Sequence, residues 1–536
     1  MPSFHGNAKK LAARFLQTVV FVDDRASYLG EMSELPSVLS VPGRAGADSI
    51  PSDGGIEAGP RRPGLDAKLV VDAFASKGLV CAVLRPTEGE DPLPGAVRAG
   101  MRSDILILDW DLNGDNRNSA SDIICRILQR ERKQGIRLRL VAIYAGQGDI
   151  EAIIGTIRSR LDDARLGPTD LDEDGCALTC GAARISGYIK DHVQFARAER
   201  RLTINDMPSR LIGDFASMTE GILSGVAVAS LSAIRENTHK LLCRISPDLD
   251  PAYVAHRFML SDPEDSKRQA VALISDELFS ILQESQVGEV AALENIRLWL
   301  CTQRERGIAL QNGFNLPPGV DEIDGVCKIL THGCESDDLE EPLRGQRNKP
   351  HKKDITAKFC CFPEKGSALE HEFAVLTTIQ TAYLTPAPQL RLGQVVSQGS
   401  GGDKSFWLCI QPLCDSVRIA GERSFPFLSL SLSQEDRPFD LVVETAPQEF
   451  TRLRVGRKPY ACRMITFNAD TTVQAVVAKR CSRGCYFRDK DGARYKWVAE
   501  LKPECAMSIV HSYAVEISRI GLDSSEWLRR WSRETG

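Results

Sequence analysis

Three short stretches of this chain end in residues able to handle a phosphoryl group or a hard cation. The run Ile105-Leu106-Ile107-Leu108 lies between Asp104 and Asp109. It is too short for a stable helix and suits a strand buried on both faces, with Asp109 carried out at its C-terminal end. Thr18-Val19-Val20-Phe21-Val22 ends in Asp23-Asp24, and Arg184-Ile185-Ser186-Gly187-Tyr188-Ile189 ends in Lys190. In an open parallel sheet, ligands bind at the carboxyl ends of the strands. As parallel neighbours the three runs gather three carboxylates and one ammonium at one edge, a composition suited to a hard divalent cation and a phosphoryl group.

An acidic pair after strand one, an Asp after Ile-Leu at the end of strand three and a Lys ending strand five resemble the receiver domain of two-component response regulators. The resemblance implies a flavodoxin-like doubly wound sheet. It also implies Asp109 as the phosphorylated aspartate, Asp23 and Asp24 as the Mg2+-binding pair beside it, the backbone carbonyl of Asp111 as a further metal ligand and Lys190 as the phosphoryl-pairing lysine. Two positions depart from the pattern. Where a receiver has Thr or Ser on its fourth strand this chain has Tyr144, then Ala145, and Asp191 replaces the usual cis-proline after the lysine. The competing reading is a pseudo-receiver that keeps the fold as a docking surface. With Phe215 to Gly221 and Ile234 to His239 downstream, the arrangement is similar to a bacterial response-receiver family. That similarity implies a histidine-kinase-like ATPase as partner, a setting in conflict or defence systems, and a signalling protein with phosphoacceptor chemistry more than a metabolic enzyme.

The elements around these runs follow from periodicity. Ala8 to Leu16 is an amphipathic lead that predicts a helix on the sheet. Residues 28–63 are rich in Gly, Pro and Ser and predict a disordered insertion; without them the acidic pair and Asp109 are a receiver's usual distance apart. Asp66 to Lys77 predicts a helix ended by Gly78, Leu79 to Leu84 a strand, Ser119 to Gln134 a helix and Leu138 to Gly146 the fourth strand.

The expected layout is a receiver-like domain over 1–200, a helical domain over 201–333, a charged linker over 334–366 and a mostly β domain over 367–536 with a final helix near Ser524 to Ser532. In the helical part Leu211 to Leu223 runs into Val226 to Cys243, followed by Ser266 to Leu282 and Val287 to Leu300. Arg235, Glu236, Asn237, Thr238, His239, His256 and Arg257 are more simply helix-end or solvated groups than a polar groove. In the β part Cys409, Cys414, Cys481 and Cys485 lack zinc-knuckle spacing, which argues against zinc there. The stretch from Arg452 to Lys496 carries 12 Lys and Arg against Asp470, Asp489 and Asp491, interleaved with Tyr460, Tyr486, Phe487 and Trp497. Such a face suits nucleic acid or an acidic protein partner, and the bland alternative is a solvated outer face. The net charge of -5 excludes a globally basic nucleic-acid binder. Scattered cysteines, 16 in all, with no signal peptide and no apolar run of membrane-spanning length, predict reduced thiols, no membrane association and a cytoplasmic location.

Overall fold

A computed structural model describes residues 3–27, 64–86, 93–112, 118–146, 148–193, 197–308, 319–333, 355–360, 362–383, 387–399, 403–434, 437–482 and 484–518. The expected insertion over 28–63, most of the charged linker and the helix near Ser524 lie outside the described residues. The chain divides into two compact units, residues 1–305 with 326–333, and residues 306–325 with 334–536.

The first unit is built on β1 (Thr18–Val22), β2 (Val80–Leu84), β3 (Ile105–Asp109), β4 (Arg139–Ala145), β5 (Thr169–Leu171), β6 (Ala177–Cys180), β7 (Ala183–Lys190) and β8 (Arg201–Leu202). The order is β2-β1-β3-β4-β7-β6-β5, with β8 on β7. β2, β1, β3, β4 and β7 run parallel, the doubly wound core that the apolar runs predict. The antiparallel hairpin β5–β6 extends it beyond β7, an addition no apolar run in the sequence announces.

Alternation within each strand divides the side chains between two cores. Leu106, Leu108, Val141 and Ile143 face α3 (Leu93–Gly100), α4 (Asn118–Gln134) and α5 (Ile150–Asp163). Phe21, Ile105, Ile107, Leu140 and Ala142 face α1 (Phe4–Phe15), α2 (Ala67–Ala75) and α6 (Met207–Met218), through Ala12, Phe74, Leu211 and Phe215. The first helix after the sheet therefore closes its second face. Thr219 to Gly221 then interrupts the helical run and α7 (Ile222–Arg244) begins, followed by α8 (Asp250–Met259), α9 (Asp265–Glu284), α10 (Leu293–Glu305) and α11 (Glu322–His332).

The second unit is an antiparallel sheet of β9 (Gln394–Gln398), β10 (Ser405–Cys409), β11 (Glu422–Leu432), β12 (Leu441–Ala446), β13 (Glu449–Val455), β14 (Cys462–Asn468), β15 (Lys479–Cys481), β16 (Gly484–Arg488) and β17 (Arg494–Glu500). Its order is β12-β13-β11-β10-β9-β17-β16-β15, with β14 on β11. β11 serves both of its cores. Phe425 and Phe427 enter one while Leu428 and Leu430 enter the other. Short apolar segments at Ser416 to Ile419 and Val473 to Ala478 read as strands by pattern but do not form them, whereas β11, β13 and β16 form where the sequence signal is weak. Pro426 in β11 breaks the expected strand chemistry; its carbonyl still accepts from the Ile410 N–H.

Candidate functional site

Strand register assembles the acidic edge. Val22 stands beside Leu108, so the next step along each parallel strand brings Asp23 out beside Asp109, while Asp109 itself is in register with Tyr144 and Tyr144 with Tyr188. Carboxylate oxygens of Asp23, Asp24 and Asp109 all lie within 4.8 Å of one another, the one such acidic group among the described residues. Lys190 Nζ sits 3.0 Å from Asp109 Oδ1 and 3.5 Å from Asp23 Oδ2. Asp23 is fully buried and its turn is fixed locally, because its Oδ1 accepts from the Arg25 N–H at 2.8 Å. Asp111 lies in the turn that follows β3.

Burial raises the Asp109 carboxyl to about 6, the charge of Asp23 adds to the shift, and Lys190 opposes it. Three buried or half-buried carboxylates, with the Lys190 ammonium beside two of them, form an all-oxygen donor set, which fits a hard divalent cation such as Mg2+.

Tyr144 occupies the fourth-strand position beside Asp109, and its hydroxyl does not serve the acidic edge. It donates instead to the Leu202 carbonyl at 2.9 Å, in β8, while its ring meets Phe21 edge-on and Lys190 Nζ lies 5.4 Å from the ring centroid. Ala145 is buried in the opposite core. Tyr188, whose role no sequence pattern announces, donates to Asp214 of α6 and receives a hydrogen bond from Arg210 Nε at 3.4 Å. Burial first, and then Asp214, push the Tyr188 phenol above its ordinary value. Asp191 is exposed, with His192 Nδ1 3.8 Å from its carboxylate.

At the opposite end of the same strands Asp104 is a hub. Its carboxylate accepts from the N–H groups of Gln17 and Thr18 at 2.9 and 3.1 Å and from Arg235 at 2.9 Å. Arg235 also donates to the Phe15 carbonyl, which ends α1, at 2.6 Å. Neighbouring Glu236 pairs with Arg14 at 2.7 Å. Arg235 therefore ties α7 to the strand end at Asp104 and to α1, and Glu236 ties it to α1, away from the acidic edge.

In the second unit the basic stretch is sorted by its partners. Arg452 Nε donates to His371 Nε2 at 2.7 Å, Arg457 pairs with Asp440 at 2.5 Å and Arg463 lies 5.6 Å from the Trp407 ring centroid. Phe487 points into the core, while Tyr460 is 87 % exposed. Arg483 lies outside the described residues. Cys409 is buried, which pushes its thiol up to about 12; Cys414 and Cys481 are exposed.

Residues 15–195 match the family model of the response receiver domain, a span that contains Asp23, Asp24, Asp109 and Lys190. No curated protein and no solved structure matches the chain. Sequence and sheet topology thus agree on a receiver-like N-terminal region.

Proposed function

We propose that this response-receiver protein takes a phosphoryl group onto Asp109 from the phosphohistidine of a histidine-kinase-like ATPase. An Asp109 oxygen attacks phosphorus in line; the new O–P bond forms as the P–N bond breaks, and the departing imidazole keeps the electron pair. Lys190 leaves its carboxylate partners to pair with an oxygen of the incoming phosphoryl group. Asp23, Asp24 and Asp109 would hold Mg2+, with the Asp111 carbonyl as a further ligand. When bound, the ion supplies positive charge against the phosphoryl oxygens. The observation that carries this reading is the ammonium of Lys190 placed 3.0 Å from Asp109 and 3.5 Å from Asp23. Incubation with acetyl phosphate and Mg2+, read by intact mass, should add one phosphoryl that is absent in Asp109→Ala. No adduct with acetyl phosphate or with a phosphorylated kinase sinks the reading.

A pseudo-receiver scaffold is the second reading, favoured by the Tyr144 hydroxyl being committed to Leu202. It expects Asp109→Ala to leave partner binding unchanged. The relay belongs in the bacterial cytoplasm in this proposal, in a defence-related setting. No described helix is long and apolar enough to cross a membrane. The basic stretch of the β domain is its output surface, for nucleic acid or an acidic protein.

A further inference from the structure

The strip formed by β15, β16 and β17 turns one face to the core, where Phe487 and Tyr495 are buried, and the other to solvent. Register decides what the outer face carries. Lys479 is opposite Tyr486, Tyr486 is opposite Lys496, and Arg488 is opposite Arg494. Residues opposite one another, and those two apart, share a face. Four cations therefore surround one phenol ring, and the Arg494 guanidinium lies 5.1 Å from the centroid of that ring. Lys404, just before β10, is brought to the same face by register: Phe406, two residues on, is opposite Ser397, and Ser397 is opposite Lys496. Burial, and then the charge of Lys496, lower the Lys404 ammonium below the ordinary range, with Glu449 acting in the other direction. Among the described residues none of these five cations has an ion-pair partner, although acidic residues outnumber basic ones in the chain, 72 to 67.

A solvated face ordinarily interleaves both signs, and like charges directly opposite one another, as at Arg488 and Arg494, destabilise a sheet. We propose that this face binds single-stranded nucleic acid, the phosphates on Lys404, Lys479, Arg488, Arg494 and Lys496 and a base on Tyr486. The inference deepens the output reading of the β domain and is independent of chemistry at Asp109. Cations two residues apart on a strand repeat at about 6.8 Å and cross-strand neighbours at about 4.8 Å, a lattice that successive phosphates of an extended strand can follow. A ring half-exposed among those cations offers a stacking platform, which a splayed base can use and a base paired within a duplex cannot. An acidic protein has neither the regular charge repeat nor a base to stack.

The test is fluorescence anisotropy of the full chain with labelled oligo(dT), a mixed-sequence single-stranded RNA and a duplex of equal length. If five phosphates are neutralised, the log–log dependence of affinity on salt should have a slope of about -3.5 for single strands, so a fourfold rise in salt weakens binding about a hundredfold. Arg488→Glu with Arg494→Glu should cut affinity at least tenfold and flatten the slope. Tyr486→Ala should cut affinity and leave the slope unchanged. Each variant is first checked for an unchanged melting temperature, and Lys496→Gln, which only removes charge, serves where a reversal unfolds the sheet. Absence of binding at low salt overturns the proposal. So does tighter binding of the duplex. Loss of binding in Arg454→Glu with none in the Arg488/Arg494 variant places the contact elsewhere on the basic stretch, refuting this face while sparing the broader output reading.

Discussion

Replacing Asp109 by Asn should stabilise the metal-free protein, although it removes the group assigned the central chemistry. The Asp109 side chain is 3 % exposed and shares its site with Asp23 and Asp24. Burial and Asp23 lift its carboxyl from 3.8 to about 6 despite Lys190. Because the folded value lies above the unfolded one, the native state is favoured while the carboxyl is protonated, and that advantage is lost as pH rises from about 4 through about 6. Each tenfold change in proton affinity is worth about 1.4 kcal/mol, so ionised Asp109 costs the fold on the order of 3 kcal/mol at neutral pH. Asn keeps the shape without the charge. In EDTA, Asp109→Asn should therefore melt several degrees above wild type at pH 7.5, and the gap should close toward pH 4. Adding Mg2+ at pH 7.5 should narrow it from the other side, by stabilising wild type. A variant that melts below wild type in EDTA at pH 7.5, or a gap that does not change with pH, refutes the charge-repulsion argument.

Asp104→Ala should lower stability by about 3 kcal/mol in urea denaturation, because it strands Arg235 and two strand-end N–H groups. Burial pushes this carboxyl up, but the bonds from Arg235, Gln17 and Thr18 outweigh it and hold it below its ordinary value. Its contribution is accordingly present at neutral pH and lost as pH falls through that lowered value, and the penalty of the variant should shrink on acidification. Tyr144→Phe should cost about 1–2 kcal/mol by leaving the Leu202 carbonyl without its donor, while Asp109 phosphorylation, read by intact mass, persists. Gly187→Val should prevent accumulation of folded protein, read by circular dichroism and soluble yield, because a Cβ there would overlap Cγ1 and Cδ1 of Ile150.

The ends of the three site strands were legible because each is a short branched apolar run stopped by charge, and a parallel strand buried on both faces has few other ways to be written. Asp23, Asp24, Asp109 and Lys190 could be named together for that reason. The helices α2 and α4 were legible from their spacing and from Gly78 and Gly135 behind them. The hairpin β5–β6 was not, since Thr169–Leu171 and Ala177–Cys180 are too short to show a period and are held by pairing to β7. Nor did local pattern reveal that α6 would close the second face of the sheet. The sequence places Tyr144 beside the acceptor, but the direction of its hydroxyl depends on β8, which returns to β7 only after the chain has left the sheet. Arg235 looked like a helix-end residue, and its partners turned out to be a carbonyl and a carboxylate more than a hundred positions away. The basic stretch was visible as composition, yet only register separates Arg452 and Arg457, engaged by His371 and Asp440, from the unpaired cations around Tyr486. Burial periodicity is a property of neighbours along the chain and is written locally. Which polar group meets which is settled by long-range strand pairing, and that information resides in no single stretch of residues.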